Sequence, residues 1–446
     1  MLRRIARLTA LVAATLFITN ANAADRTWSS TAAGLGFWSS NTAWVGAIAP
    51  VAADNLFFTV APVAGGTRNV TNDFAPNTQF NAITMINQYI LYGNAINLGG
   101  HVTNSGNLAI ASINLNMAMQ QDTTFAVNFG GNTRIDVAGN ISGAFGINKV
   151  GAGALRITTA AKTYTGATTI SGGSIDIVSG GLPVNTDLSI ASGAFMQLNN
   201  ASQTVDGLSG AGNVTKVGTG GRTLTVGNNN EASANFTGNL IQSAGTLSLT
   251  KVGTGTQIIS GTGNTYTGAT AVNGGSLVIN GTIGAGATTV AAAGTLGGAG
   301  TVGGATTVTG LLDPGAAAGA IGTLTFSSSL LLNPASATTF QLDRTAGQNT
   351  DLLNVGGTLT LDGTANIVNI GSPLLAGDLF DLFNSPAILG GFGTVNLPAL
   401  DPGLSWDTSI FNTTGILSVI AVPEPSSMTL AGIAGLAILI AKRRKA

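Results

Sequence analysis

Cysteine is absent from the 446 residues, which excludes a disulfide framework, a thiolate nucleophile and a thiolate metal site. Histidine occurs once, at His101. A single imidazole leaves zinc sites and His-based triads poorly supplied. Set between Gly100 and Val102 in a β-like stretch, His101 reads as structural. Charge is scarce as well, at 8% of residues against roughly 25% in an ordinary soluble domain. Residues 24–421 hold 10 basic and 17 acidic side chains, so the interior of the chain is mildly acidic. It has no basic stripe, and nucleic-acid binding has no electrostatic footprint. Gly-x-Ser-x-Gly, the phosphate-binding Gly-x-x-x-x-Gly-Lys-Ser/Thr and a calcium-binding Gly-Gly-x-Gly-x-Asp series are all missing. No catalytic residue, metal ligand or cofactor is expected.

What remains is small and β-branched. Glycine reaches 64 residues, about twice its usual share of roughly 7%. Chains that stay disordered are rich in charge and poor in apolar residues, the reverse of this composition. Many short strands joined by tight turns suit it better.

The two ends carry addresses. Arg3, Arg4 and Arg7 precede an apolar run at 8–18, and Ala21-Asn22-Ala23 is a small-x-small cleavage site. These are the three parts of a secretory signal, with Ala24 as the expected mature N-terminus. At the other end stand Val422, Pro423, Glu424 and Pro425, then an apolar run at 428–441, then Lys442, Arg443, Arg444 and Lys445. The run is short of the roughly 18–20 residues of a comfortable membrane span, and the basic cluster fits a cytoplasmic stop. This layout resembles the PEP-CTERM protein-sorting signal. The resemblance implies an exosortase-type processing enzyme as partner. It also implies transient anchoring in the inner membrane through the C-terminal helix, and final delivery to the surface or extracellular matrix of a Gram-negative-type bacterium. A permanent inner-membrane anchor is the alternative.

Between the ends the chain repeats. Lys149-Val150-Gly151-Ala152-Gly153, Tyr164-Thr165-Gly166-Ala167-Thr168 and Gly172-Gly173-Ser174-Ile175 recur as Lys251-Val252-Gly253-Thr254-Gly255, Tyr266-Thr267-Gly268-Ala269-Thr270 and Gly274-Gly275-Ser276-Leu277, always at the same offset. A looser copy starts at Lys216 and includes Phe236. The positions of the three lysines imply a basic period of about a third of that offset. The pattern resembles the autotransporter-associated β-strand repeat of surface-protein passenger regions, over roughly residues 145–420. One unit cannot bury its apolar side alone, whereas stacked units can. Tyr164, Phe236 and Tyr266 are expected to pack between turns rather than form a carbohydrate-stacking row. Lys149, Lys216 and Lys251 are expected to be solvated turn residues.

The expected fold is all-β, a parallel β-solenoid (β-helix). Residues 1–23 are the signal peptide, and 24–145 form an N-terminal β-region containing Trp28, Trp38 and Trp44. The repeat solenoid spans 146–310 and a C-terminal β-region spans 311–421. The sorting signal with a single transmembrane helix occupies 422–446. The tryptophans are read as an aromatic cap over an open strand edge, with a sugar-binding platform as the sharper alternative. The expected function is that of a non-enzymatic structural or adhesin-like surface protein, with exopolysaccharide as a further partner. Two alternatives stand beside it. One is a polysaccharide-active β-helix enzyme using stacked carboxylates, drawn from Asp136, Asp176, Asp187 and Asp206, with Asp176 and Asp206 placed to align at one repeat length. The other is a tail-anchored envelope spacer.

Overall fold

The computed structural model describes residues 23–30, 36–60, 67–159, 162–315 and 319–422. The predicted cleavage residue Ala21, the sorting residues Pro423, Glu424 and Pro425, the apolar run at 428–441 and the basic residues Lys442, Arg443, Arg444 and Lys445 lie outside them. Among the described residues no helix is long and apolar enough to cross a membrane.

The chain winds as a parallel β-solenoid with three faces. A 17-stranded sheet forms the first face without interruption, from Asp25–Thr27 to Thr394–Asn396. A 10-stranded sheet ending at Leu240–Gln242 and a 5-stranded sheet starting at Thr282–Ile283 form the second. The third is a 5-stranded sheet up to Thr163–Tyr164, then a 9-stranded one from Gln203–Thr204. The chain visits the faces in rotation, so each strand pairs in parallel with the one a full turn away. Turns differ in length. Near the start Asp25 faces Asn55, whereas further on Thr295 faces Leu311, a turn little more than half as long.

Strand alternation builds the core. Arg134–Val137, Ala154–Ile157 and Phe195–Leu198 each alternate half-buried and buried residues, as side chains of period two must when one sheet face is inside. Ile135, Leu155, Ile175, Met196 and Val214 therefore stack directly over one another inside the second face. Where a face loses its strand, a side-chain amide replaces the ladder. Asn264 accepts from the Leu240 amide at 2.6 Å and donates to the Thr282 carbonyl at 2.5 Å, across the break in the second face. Gln203 does the same for Leu182 on the third. Asn and Gln can act this way because one side chain carries both a donor and an acceptor.

The ends of the stack differ from its middle. Trp28, Trp38 and Trp44 are buried. Trp28 meets Trp44 edge-on at 5.1 Å, and Trp38 meets Phe80 edge-on at 5.4 Å. With their faces inside, they fill the first turns and offer no platform for a sugar. The other end turns antiparallel: Ile416–Ala421 pairs with Leu379–Asp381 and Leu404–Asp407. Nothing in the repeat pattern foretold that sheet.

Candidate functional site

The repeated sequence motif does not coincide with a turn of the solenoid. Lys149 lies in Ile147–Val150 on the first face, Lys216 in Asn213–Lys216 on the second, and Lys251 in Thr246–Lys251 on the third. Each copy thus starts on a different face, and the offset between copies is not a whole number of turns. The expectation of solvated lysines is overturned: their exposures are 0%, 0% and 1%. They occupy inward strand positions, Lys149 stacked between Phe125 and Ile170. The Lys149 ammonium donates to the carbonyls of Val150, Gly151 and Gly172 at 2.9, 2.9 and 3.0 Å. Lys251 repeats the set on Val252, Gly253 and Gly274 at 2.6, 3.4 and 3.3 Å, and Lys216 bonds to Val217 and Gly218. A buried cation is tolerable only when hydrogen-bonded in this way. Burial pushes the Lys149 ammonium down to about 8, against a counter-pull from Asp176.

The other motif positions serve the same closure. Tyr164 and Tyr266 are buried, as expected of interior packing, and their hydroxyls meet Thr168 at 2.6 Å and Thr270 at 2.8 Å. Phe236 is buried as well. Gly173 and Gly275 hold φ at 62° and 61°. A Cβ there would stand 2.2 Å from the Gly153 carbonyl oxygen, or 2.4 Å from that of Gly255. These are structural roles, and they leave the motif no reactive group at the surface.

The acidic residues regroup. Asp176 pairs in register with Arg156 on one side and Gln197 on the other. Asp206 instead sits with Asp187 and Glu231, one oxygen of each within 4.8 Å of the others. The expected alignment of Asp176 with Asp206 therefore fails, because the turns at this level are shorter than the sequence repeat: Leu188 faces Leu208 and Ala154 faces Ser174. Glu231 was missed altogether. Asp206 already accepts from the Asn229 and Glu231 amides, and Asp187 from the Gly207 amide. Three carboxylates fall short of the roughly six to eight oxygens that calcium takes, so the cluster carries no assignment. His101 accepts the Thr124 amide at 3.2 Å through Nδ1, a structural contact.

One surface feature stands out. Outward positions on the second face form a register row of Ser112, Asp136, Arg156, Asp176 and Gln197. Beside it runs Arg134, Ala154, Ser174 and Phe195. Together with Asn199 and Asn200, these rows from Arg134 and Arg156 onward line a groove of 510 Å³, with Asp136 beside it. Arg134 Nε lies 3.0 Å from Asp136, whose same oxygen is 3.7 Å from Arg156. Ser174 donates to Asp176 at 2.7 Å. Burial raises the Asp176 carboxyl above its ordinary range, opposed by the Ser174 hydroxyl and the Arg156 guanidinium. The sequence signal was available in the spacing: Asp136, Arg156 and Asp176 stand at equal intervals along the chain, each interval being one turn at this level.

Comparison with known proteins agrees with the architecture. The Passenger-associated-transport-repeat family matches residues 147–177 and 249–279. The PEP-CTERM protein-sorting motif matches 421–445, starting at the last residue of the final strand. Over 148 residues the chain is 32% identical to the Adhesin BmaC autotransporter of Brucella suis biovar 1 (strain 1330), a match covering 32% of this chain and 4% of that protein. The chain therefore spans only a small fraction of that relative's length. It carries two passenger-type repeats within one continuous parallel β-solenoid, and a PEP-CTERM sorting motif directly after the antiparallel sheet that closes it.

Proposed function

We propose that this is an exported surface protein of the adhesin-like, non-enzymatic kind, delivered through an exosortase-type system to the surface or matrix of a Gram-negative-type bacterium. The observation that carries the reading is the join at residue 421, where the antiparallel sheet that closes a solenoid with passenger-type repeats meets the sorting motif. Val422 leads into Pro423, Glu424 and Pro425, the transient anchor follows at 428–441, and Lys442, Arg443, Arg444 and Lys445 hold it on the cytoplasmic side. The other end supports cleavage after Ala21-Asn22-Ala23. The Ala24 nitrogen lies 3.2 Å from Oδ1 of Asp54, a buried carboxylate that also takes Arg26 Nε at 2.7 Å. Cleavage there turns that amide into an ammonium and makes the bond charge-assisted. The nearly uncharged solenoid between the ends presents a long surface for adhesion and for contact with exopolysaccharide.

A polysaccharide-active enzyme is the second reading, and the carriage of Asp136 and Asp176 on one face favours it. Paired carboxylates need an open gap for water or for attack on the sugar. Here the gap is filled by Arg156, stacked between them in register, which favours binding over hydrolysis.

Intact mass and fractionation of the native protein test the main reading, in cells with and without their exosortase. The expected mature form starts at Ala24, ends near Pro423, Glu424 and Pro425, and sits at the surface only when the exosortase is present. A form keeping Lys442 and the residues after it in the inner membrane, indifferent to the exosortase, contradicts the reading and leaves a tail-anchored spacer.

A further inference from the structure

We propose that the groove on the second face is a binding site for a neutral, hydroxyl-rich glycan chain laid along the solenoid axis. This deepens the reading of a surface protein in contact with polysaccharide, and rests on it. Four of the sparse charges of residues 24–421, namely Arg134, Asp136, Arg156 and Asp176, fall on three successive strands. The first face of the same turns shows Thr124, Asn148, Thr169, Ser189 and Ser209 at its outward positions. A surface this poor in charge has no folding need for such a concentration, since half-exposed ion pairs contribute only about 0–1 kcal/mol each.

The lining selects the ligand class. Arg134, Arg156 and Asp176 line the groove, and Asp136, ion-paired to both arginines beside it, balances the second guanidinium, so this patch has no net charge to attract a polyanion. Planar donors and acceptors alternate along the row at about 4.8 Å per strand, with the Gln197 amide next in register and those of Asn199 and Asn200 following it along the same turn. Vicinal hydroxyls donate and accept at once and match such a row. An amine or a phosphate would leave half of it unpaired, which is costly wherever groups are shielded from water. Phe195, half-buried in the lining, adds an aromatic side chain that sugar C–H groups can meet. The walls come from successive turns, so a chain can pass along them instead of ending in a pocket.

The test uses the native mature protein on immobilised neutral polysaccharides (glucans, mannans, galactans and xylans) with polygalacturonate as the anionic counterpart. Retention on at least one neutral polymer is expected, at least tenfold weaker in Arg156→Gln and in Asp176→Asn and unchanged in Thr169→Ala, with equal thermal unfolding in all four proteins. The proposal is overturned by the absence of retention on every neutral polymer, by equal retention in the groove variants, or by preference for polygalacturonate. Release of reducing ends that disappears in Asp176→Asn also overturns it, in favour of catalysis. Surface delivery is read separately by fractionation, so a protein that reaches the surface but binds no neutral glycan sinks the groove alone.

Discussion

On the first face, between Thr123 and Gly210, the outward positions are threonine, serine, asparagine and small residues; on the second face of the same turns arginine, aspartate, glutamine and phenylalanine stand among serine and alanine. Their inward positions share a fully buried aliphatic stack, Ile170 and Ile190 on one and Leu155, Ile175 and Met196 on the other, into which the first face also admits Lys149 and Thr168. Stability in a solenoid comes from this stacked interior, turn upon turn. The exterior is free to differ, and it differs on one face. A scaffold whose interior is interchangeable lets chemistry be written on a single side.

The interior half of the comparison predicts the largest effects. Ile175 on the second face and Leu277 on the first occupy the same place in the repeat, both fully buried. Ile175→Ala and Leu277→Ala should each lose about 2–5 kcal/mol in urea unfolding. A cost at one site only would break the equivalence of the faces. Next comes the backbone. Gly173→Ala and Gly275→Ala force an L side chain into the left-handed region against a carbonyl. Both should cost about 1–3 kcal/mol, whichever face carries them.

A smaller effect should appear with pH. Burial pushes Lys149 and Lys162 down to about 8 from the ordinary 10.5. In that window the unfolded chain binds more protons than the folded one, so stability rises as pH climbs from about 8 toward about 10.5. Denaturation midpoints at about pH 7.5 and about pH 10 should show this rise, reduced in Lys162→Met. A fall across the window would contradict the assigned burial. The smallest effects belong to the exterior. Arg156→Gln and Thr169→Ala should each change stability by less than about 0.5 kcal/mol, read by thermal unfolding, even though only the former touches the groove.

Much of the fold was legible because it depends on local signals. Alternation over 246–249 and 276–279 marks strands, which the fold extends to Thr246–Lys251 and Gly275–Ile279, and glycines at the ends of such runs mark turns, several at positive φ. The faces were not legible. The long repeat looks like a stacking unit, whereas the turns vary in length and each copy begins on a new face. Lysine burial was hidden for a related reason. The carbonyls that hold Lys149 include Gly172, which the chain delivers only after a full turn. The groove was concealed by the same mismatch. With a turn taken as long as the repeat period, Asp136, Arg156 and Asp176 belong to no common row; with the shorter turn the chain adopts there, they stack. The antiparallel closing sheet depends on contacts between Leu379–Asp381 and Ile416–Ala421, and no short pattern encodes it.

The central claim is that the lysine motif closes one turn locally on whichever face it falls, within a single continuous stack. Hydrogen exchange of the mature protein, read peptide by peptide in Lys149→Met and Lys251→Met, tests it most directly. Each variant strips carbonyls of their partner, at a cost of about 1–3 kcal/mol. Protection should fall around Ile147–Val150 and Gly172 in the first variant, and around Thr246–Lys251 and Gly274 in the second, each leaving the other motif unchanged. Equal loss at both motifs in either variant, or no loss in both, would contradict the account.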